Sequence, residues 1–336
     1  MEIPDPFSGE AGWKERQDLS AGVKAAVLVE ALPYIRRFWG KTVVIKLGGR
    51  AAEDRASLQS FADDLVAMRS VGMKPVCVHG GGPQIGQLME RLGKVPEFRE
   101  GLRVTDAETL DIARMVLVGK VNRDIVGAVN VHGPLAVGLS GEDAGLLLAS
   151  AVDPDLGFVG SVERVDPTIV ERLLAEGLIP IIATIGSDSS GQPYNINADV
   201  AAGALAEALG AEKLVFLTDV EGLMRDLADP TSLVREVTAS ELASMVDGAV
   251  VAGGMIPKAK TCIKAVQNGV GRAHIADGSV AHAILLEIFT DEGVGTMVIP
   301  DDGRSGTGPV NPANRAALPE HMKGAAKDAI SVEVDQ

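Results

Sequence analysis

Six short stretches of this chain carry residues suited to holding anions. In VVIKLGG, residues 43–49, an apolar run reads as a buried strand, then Lys46 follows, then Gly48 and Gly49. Lysine is rarely buried without a partner, and glycine lets a backbone come close to a ligand because it has no Cβ. In VHGGGPQIG, residues 78–86, three glycines follow a strand and Pro83 stands where a helix would begin. The N–H groups of Gly81 and Gly82 would then face an anion at a helix N-terminus. A tight strand-to-helix turn is the alternative, but one glycine suffices for that. GLRVT offers Arg103, whose planar fork suits a carboxylate, although an ordinary surface salt bridge would look the same. YNINAD puts Asn195, Asn197 and Asp199 at a hairpin-to-helix junction, where Asp199 either caps the helix or serves a site. GGMIPKAK places Lys258 in the first turn of a helix after Gly253 and Gly254. A cation there opposes the helix dipole, which makes sense if an anion lies between. LTDVEGL, residues 217–223, is a strand end followed by an acidic glycine turn, a plausible nucleotide edge. Two lysines, an arginine, one carboxylate and two glycine nests, with no serine–histidine pair or cysteine nucleophile in view, are equipment for phosphoryl transfer, where catalysis is positioning and charge stabilisation.

Composition narrows the field. The 336 residues carry 31 Lys and Arg against 46 Asp and Glu, a net charge of −15. That argues against a nucleic-acid partner, and an anionic substrate would need local cations against the field. Cys77 and Cys262 are the only cysteines and neither has a C-x-x-C neighbour, so no metal or redox site is expected and a reducing, cytoplasmic setting fits. No apolar run reaches about 18 residues, so no membrane span is expected. Two apparent motifs fail. WGKT at 39–42 has the end of a P-loop, but Ile35 stands where its first glycine belongs and a strand follows. Gly80, Gly82 and Gly86 come near a dinucleotide fingerprint, which would make an NADP-binding oxidoreductase. They do not follow the first strand, and that reading leaves Lys46, Asp199 and Lys258 unexplained.

The elements that must position these groups alternate. Apolar runs predict strands over 42–47, 75–79, 134–139, 179–184, 213–217 and 272–276. Helical spacing predicts helices over 57–70, 83–92, 106–130, 167–176, 198–209 and 255–268. GFVGSVERV and SSGQPYN read as small added hairpins. Such alternation predicts an α/β fold, a mostly parallel open sheet covered on both faces. An N-terminal helix from Gly22 to Phe38 carries Val23, Val27, Tyr34, Ile35 and Phe38 on one face, widened by Leu28, Val29 and Leu32. So broad an apolar surface calls for more than one neighbour. Residues 1–19 read as a flexible arm and the segment from Asp301 as a disordered tail.

The order KLGG, HGGGP, GLRVT, NINAD, LTDVEGL, GGMIPK resembles the amino-acid kinase family, over a span from about Val23 to Ile299. The resemblance implies a three-layer αβα sandwich: an arm (1–20), an oligomerisation helix (21–40), an N-terminal lobe for an acyl-amino acid (41–194), a C-terminal lobe for ATP (195–300) and a tail (301–336). It implies transfer of the γ-phosphate of ATP to the γ-carboxylate of N-acetyl-L-glutamate, the second step of arginine biosynthesis, with Mg²⁺ held mainly by the phosphates and no protein metal site. Lys46 and Lys258 would stabilise the phosphoryl group in flight, and Asp199 would hold both lysines. Gly81, Gly82, Arg103 and Asn195 would bind substrate. Gly48, Gly49, Gly254 and the run Thr218, Asp219, Val220, Glu221, Gly222, Leu223 would surround the nucleotide. A sister kinase acting on N-acetyl-aminoadipate or another acidic amino acid stays open, as does a non-catalytic arginine sensor. Arg50, where a small or amide residue is usual, and Glu142, where lysine is frequent, depart from the family pattern.

Within the family, the N-terminal helix together with HIADGSVAHAILLEIFTDEGVGTM resembles the arginine-sensitive branch. That implies feedback inhibition by L-arginine in a hexamer built as a trimer of dimers, with a PII-type nitrogen-signalling protein as a further partner. His274 and Glu287 match positions lining the arginine site. A carboxylate inside ILLEIF is poorly placed unless a cation meets it, or unless it lies on the wet side of a short helix.

Overall fold

The computed structural model describes residues 20–48, 54–99, 101–226, 229–251, 253–290 and 293–302. The expected arm over 1–19, almost all of the expected tail, and Gly49 with Arg50 lie outside the described residues.

Helix α1 (Ala21–Phe38) begins where the Ser20 side chain accepts from the Val23 N–H. It leads into β1 (Thr42–Leu47), α2 (Arg55–Ser70) and β2 (Lys74–His79), then α3 (Gly82–Arg91). A two-residue hairpin pair, β3 (Phe98–Arg99) and β4 (Leu102–Arg103), precedes α4 (Ala107–Arg114) and α5 (Asn122–Asn130). Next come β5 (Ala136–Ser140), β6 (Leu147–Ala151), β7 (Val159–Val165), α6 (Thr168–Ala175), β8 (Ile179–Ala183), β9 (Ile185–Ser187) and β10 (Pro193–Ile196). The chain closes with α7 (Ala198–Ala208), β11 (Lys213–Thr218), β12 (Glu236–Thr238), α8 (Ala239–Asp247), α9 (Met255–Gln267), β13 (Arg272–Asp277), α10 (Ala283–Phe289) and β14 (Thr296–Ile299).

Eight strands make one sheet in the order β12-β14-β13-β11-β1-β2-β8-β5. Every neighbouring pair runs parallel except β13 with β14. The central strands are apolar on both faces, as a covered parallel sheet requires. Val44, Val76, Val78, Ile182, Leu214 and Phe216 point to one side, where α7 and α9 pack through Ala201, Leu205, Ala259 and Cys262. Val43, Ile45, Leu47, Cys77, Ile181 and Val215 point to the other, against α2, α5 and α10 through Phe61, Leu65, Ile125, Val129, Ile284 and Ile288. This is the expected three-layer αβα sandwich. Strand β1 lies between β11 and β2, so the carboxyl ends of β1, β2 and β11 come side by side, the place where open α/β sheets bind ligands.

Two local expectations need correction, and one helix was not expected. GFVGSVERV is not a hairpin: Val159–Val165 is one strand, paired with Leu147–Ala151, and β6, β7, β9 and β10 close a small barrel. The expected helix 106–130 is interrupted by a π-helix at Met115–Val121. Helix α8, which the periodicity did not yield, opens on a Thr238/Glu241 capping box. On α1 only Phe38 is buried; Val23, Val27, Leu28, Val29 and Leu32 stand exposed. Among the described residues no helix is long and apolar enough to cross a membrane.

Candidate active site

Lys46 is the last residue but one of β1, only 8% exposed. Its partner is Asp199, itself 5% exposed, on the first turn of α7. Lys46 Nζ lies 3.0 Å from Asp199 Oδ1, and Lys258 Nζ donates to Oδ2 at 2.8 Å. One carboxylate therefore bridges two ammonium groups from elements far apart in sequence, β1 and α9. Burial alone would raise the Asp199 carboxyl, but the charges of Lys46 and Lys258 outweigh it and hold the carboxyl below its usual range. Lys46 meets Oδ1 as an ion pair, and an ammonium has three N–H donors, so others remain for a ligand.

Asp199 is available for this because it does not cap α7. Asn197 does: its Oδ1 accepts from the N–H of Asp199 at 2.9 Å and of Val200 at 3.2 Å. The helix-cap alternative for Asp199 is thereby removed, and the second asparagine of NINAD acquires its reason. Lys258 comes from the first turn of α9, beyond Gly253, whose φ of +56° favours glycine. Gly48 answers a closer constraint. A Cβ there would collide with Lys46 Nζ and approach the Leu217 carbonyl at 3.4 Å.

Facing the lysines is the turn after β2. Gly81 precedes α3 with no side-chain cap, and Pro83 occupies its first turn. Its nest N–H groups and the lysines share one cavity of about 290 Å³. Arg103 enters from the hairpin, its guanidinium donating to the Gly82 carbonyl at 2.9 Å and standing 4.7 Å over the Phe98 ring. Asn195 reaches the cavity from β10 and donates to Thr105 Oγ1 at 3.4 Å.

Thus Lys46, Gly48, Gly81, Gly82, Arg103, Asn195, Asp199 and Lys258 line one space. The nucleotide run does not. Thr218 ends β11 and its carbonyl accepts from Gly278. Val220 and Glu221 are exposed, Asp219 lies between them and the strand, and Gly222 and Leu223 are buried against Thr296, which accepts from the Leu223 N–H at 2.8 Å. Gly254 sits at the start of α9. His274 and Glu287 lie apart, in a second cavity of about 170 Å³ between α1, α10, β13 and β14. Sequence reasoning missed Thr184 and Leu117, both in the wall of the first cavity. Nothing in their types marks them.

A buried carboxylate spanning two lysines above a glycine nest is built to gather phosphate oxygens. Residues 41–277 match the amino acid kinase family. An acetylglutamate kinase of Pelotomaculum thermopropionicum is 54% identical over 287 residues, covering 82% of this chain and 97% of that protein. An acetylglutamate kinase of Acidothermus cellulolyticus is 55% identical over 296 residues, with 84% and 99% covered. In three dimensions the chain is similar to an N-acetylglutamate synthase from Neisseria gonorrhoeae, complexed with coenzyme A and L-arginine. The TM-score is 0.72 at 28% identity, over 82% of this chain and 65% of that one. The chain belongs to the amino acid kinase family. It is a phosphotransferase drawing on ATP.

Proposed function

We propose that this chain transfers the γ-phosphoryl group of ATP to the γ-carboxylate of N-acetyl-L-glutamate, giving N-acetylglutamyl 5-phosphate. The observation that carries the reading is Asp199, buried between Lys46 and Lys258 and opposite the Gly81–Gly82 nest. A γ-carboxylate with a reference pKa of about 4.3 is already a nucleophile at neutral pH, so no general base is required. What opposes reaction is repulsion between the carboxylate and the triphosphate. Lys46 and Lys258 offset it from one side and the nest N–H groups from the other. Arg103 and Asn195 orient the acyl-amino acid, and the residues after β11, with Gly254, border the nucleotide. Mg²⁺ accompanying ATP would neutralise phosphate charge. Among the described residues no group of three or more His, Cys, Asp or Glu could hold a metal, and Asp199 is taken up by two lysines.

Hydroxylamine trapping tests the substrate. ATP-dependent hydroxamate should form with N-acetyl-L-glutamate far faster than with free glutamate or aspartate, and equal rates would sink the assignment. N-acetyl-aminoadipate belongs in the same assay, because one methylene discriminates by only about 1–3 kcal/mol. The lysine–aspartate arrangement also speaks against a non-catalytic sensor, which has no use for it.

We further infer an arginine effector site around His274 and Glu287. Glu287 is buried, which removes the wet-side alternative. Burial would raise its carboxyl, but hydrogen bonds from His274 Nδ1 at 2.6 Å and the Val294 N–H at 2.9 Å, with the charge of Lys213, hold it down at about 2. Burial pushes His274 down to about 4, so the pair is a carboxylate with a neutral imidazole. Glu287 Oε2 is filled by the N–H groups of Val294 and Gly295. Oε1 keeps acceptor capacity, and His274 Nε2 is buried without a partner. A carboxylate oxygen with a lone pair to spare and an unpartnered imidazole nitrogen suit a guanidinium. Helix α1 walls the same cavity through Tyr34, Arg37 and Phe38, so an effector there can sense how α1 is held. The exposed apolar face of α1 suits pairing with α1 of another copy, as a hexameric ring requires. Glu287→Gln should raise the arginine concentration for half-inhibition by about tenfold or more, the scale of one lost charge-assisted contact of about 1.5–3 kcal/mol. Unchanged inhibition would remove Glu287 from the site.

A further inference from the structure

The turn that carries the glycine nest is controlled from beneath by two buried side chains. Strand β2 ends at His79, which is wholly buried. Its Nδ1 lies 3.0 Å from the carbonyl oxygen of Gly80. A carbonyl only accepts, so Nδ1 carries the hydrogen and Nε2 is left as an acceptor. Asn122 fills that acceptor, its Nδ2 lying 3.1 Å away. The same amide nitrogen donates to the Ile181 carbonyl at 2.8 Å. Because that carbonyl also only accepts, nitrogen and not oxygen must face the ring. Asn122 Oδ1 in turn accepts from Arg123 Nη2. Every orientation in the chain is fixed by a group that has one role.

We propose that His79 and Asn122 are positioning residues for phosphoryl transfer: the Nδ1-protonated ring holds the Gly80 carbonyl inward and so turns the Gly81 N–H outward, towards the phosphoryl group. The step from carbonyl to amide follows from the peptide plane, in which the C=O and the next N–H point in opposite directions. The ring lies below the turn and outside the cavity, whereas Gly80, Gly81 and Gly82 line it. The Gly81 carbonyl is separately engaged, accepting from the Ile85 N–H at 2.9 Å, so both neighbouring peptides of the nest are pinned. Burial pushes His79 down to about 4, with the Arg123 charge adding to the effect. A protonated ring would also set an N–H against the Asn122 amide hydrogens.

The π-helix gives this arrangement its local cause. It ends at Val121, immediately before Asn122. One extra residue in a helix turns everything after it by about 100°, and π-turns cluster at functional sites. Here the turn does two things. It aims Asn122 into the core beneath the nest, and it lays Leu117 and Val121 against Gly81, where a Cβ would come within 2.7 Å and 3.2 Å of them.

The inference rests on the phosphotransferase reading and deepens it. Three full-length variants test it beside the wild type. His79→Leu keeps the bulk and removes the donor. His79→Asn returns an amide N–H close to the Nδ1 position. Asn122→Asp keeps the shape but presents only acceptors to Nε2, which favours the other tautomer. The expected result is a fall in kcat of about 10²-fold for His79→Leu and Asn122→Asp, the scale of one lost oriented donor. KM for both substrates should stay within about threefold, and His79→Asn should recover at least tenfold of the loss. Nitrogen-15 spectra of labelled histidine should show His79 protonated at Nδ1 in the wild type and not in Asn122→Asp. A His79→Leu enzyme with wild-type kcat, no recovery in His79→Asn, or an Nε2-protonated wild-type ring would overturn the inference while hydroxamate formation by the wild type keeps the kinase reading intact. If His79→Leu does not fold, the Asn122→Asp kinetics and the spectra decide alone. A wild type that forms no hydroxamate overturns both.

Discussion

Alanine at position 258 should lower kcat by about 10²–10³-fold, the cost of about 2.7–4 kcal/mol that follows loss of one preorganised donor to a developing oxyanion. Lys46→Ala should do the same. Both losses should fall on kcat far more than on apparent affinity. Free ATP already presents its charge to solvent cations, whereas the phosphoryl group between two oxygens must be held by groups already in place. The structure supplies the preorganisation. Lys258 Nζ is fixed at 2.8 Å and Lys46 Nζ at 3.0 Å from a single buried carboxylate, so neither ammonium has to be ordered when the reaction starts. Arg103→Ala provides the contrast. Its guanidinium stands on the Phe98 ring and the Gly82 carbonyl at the rim of the cavity, and its loss should raise KM for the acidic substrate with a smaller effect on kcat. Steady-state kinetics with both substrates varied will separate these patterns. A Lys258→Ala enzyme within about tenfold of wild-type kcat, a change of about 1.4 kcal/mol, would remove Lys258 from the transition state.

The contrast between what could be read in the sequence and what could not has a physical basis. Lys46 and Lys258 were legible because each breaks a local rule, one by placing a cation inside a core strand near its end and the other by placing a cation at a helix N-terminus. Such violations point to function. The parallel sheet was legible because both faces of β1, β2, β8 and β11 are apolar, leaving runs of Val, Ile and Leu without alternation. The edge was harder. Strands β12 and β14 have three and four residues and make their contacts across long sequence gaps, so nothing local marks them. The division of labour in NINAD was also hidden. Asn197 and Asp199 are both good caps, and only the backbone decides that Asn197 takes the cap and frees Asp199. His79 and Asn122 obey every local rule, sitting at a strand end and in a helix, and their roles appear only when β2, β5, β8 and α5 meet. The π-turn that brings them together has no sequence signature at all.

Asp199→Asn should have the largest effect of any single isosteric change, lowering kcat on the order of 10³-fold because both transition-state donors lose their anchor at once. The physical reason is specific to a carboxylate with two cationic partners. Asparagine keeps the shape, but its amide has one acceptor oxygen and one NH₂ where two oxygens now face two ammonium groups. Lys46, 8% exposed, would then sit beside Lys258 with no compensating charge. Removing one member of a buried ion pair costs about 3–5 kcal/mol because the remaining charge is uncompensated. That strain makes a second expectation, opposite in sign to the first. An added polyanion relieves it, so ATP or inorganic phosphate should raise the melting temperature of Asp199→Asn by more than it raises that of the wild type, even as turnover collapses. Simple unfolding of the site would lower both. Tighter polyanion binding with lost kcat is the pattern of two lysines that still attract phosphate but no longer hold it in line. Asp199→Asn turning over within about tenfold of wild type, or showing no greater stabilisation by phosphate, would mean that the lysines are held by something other than Asp199.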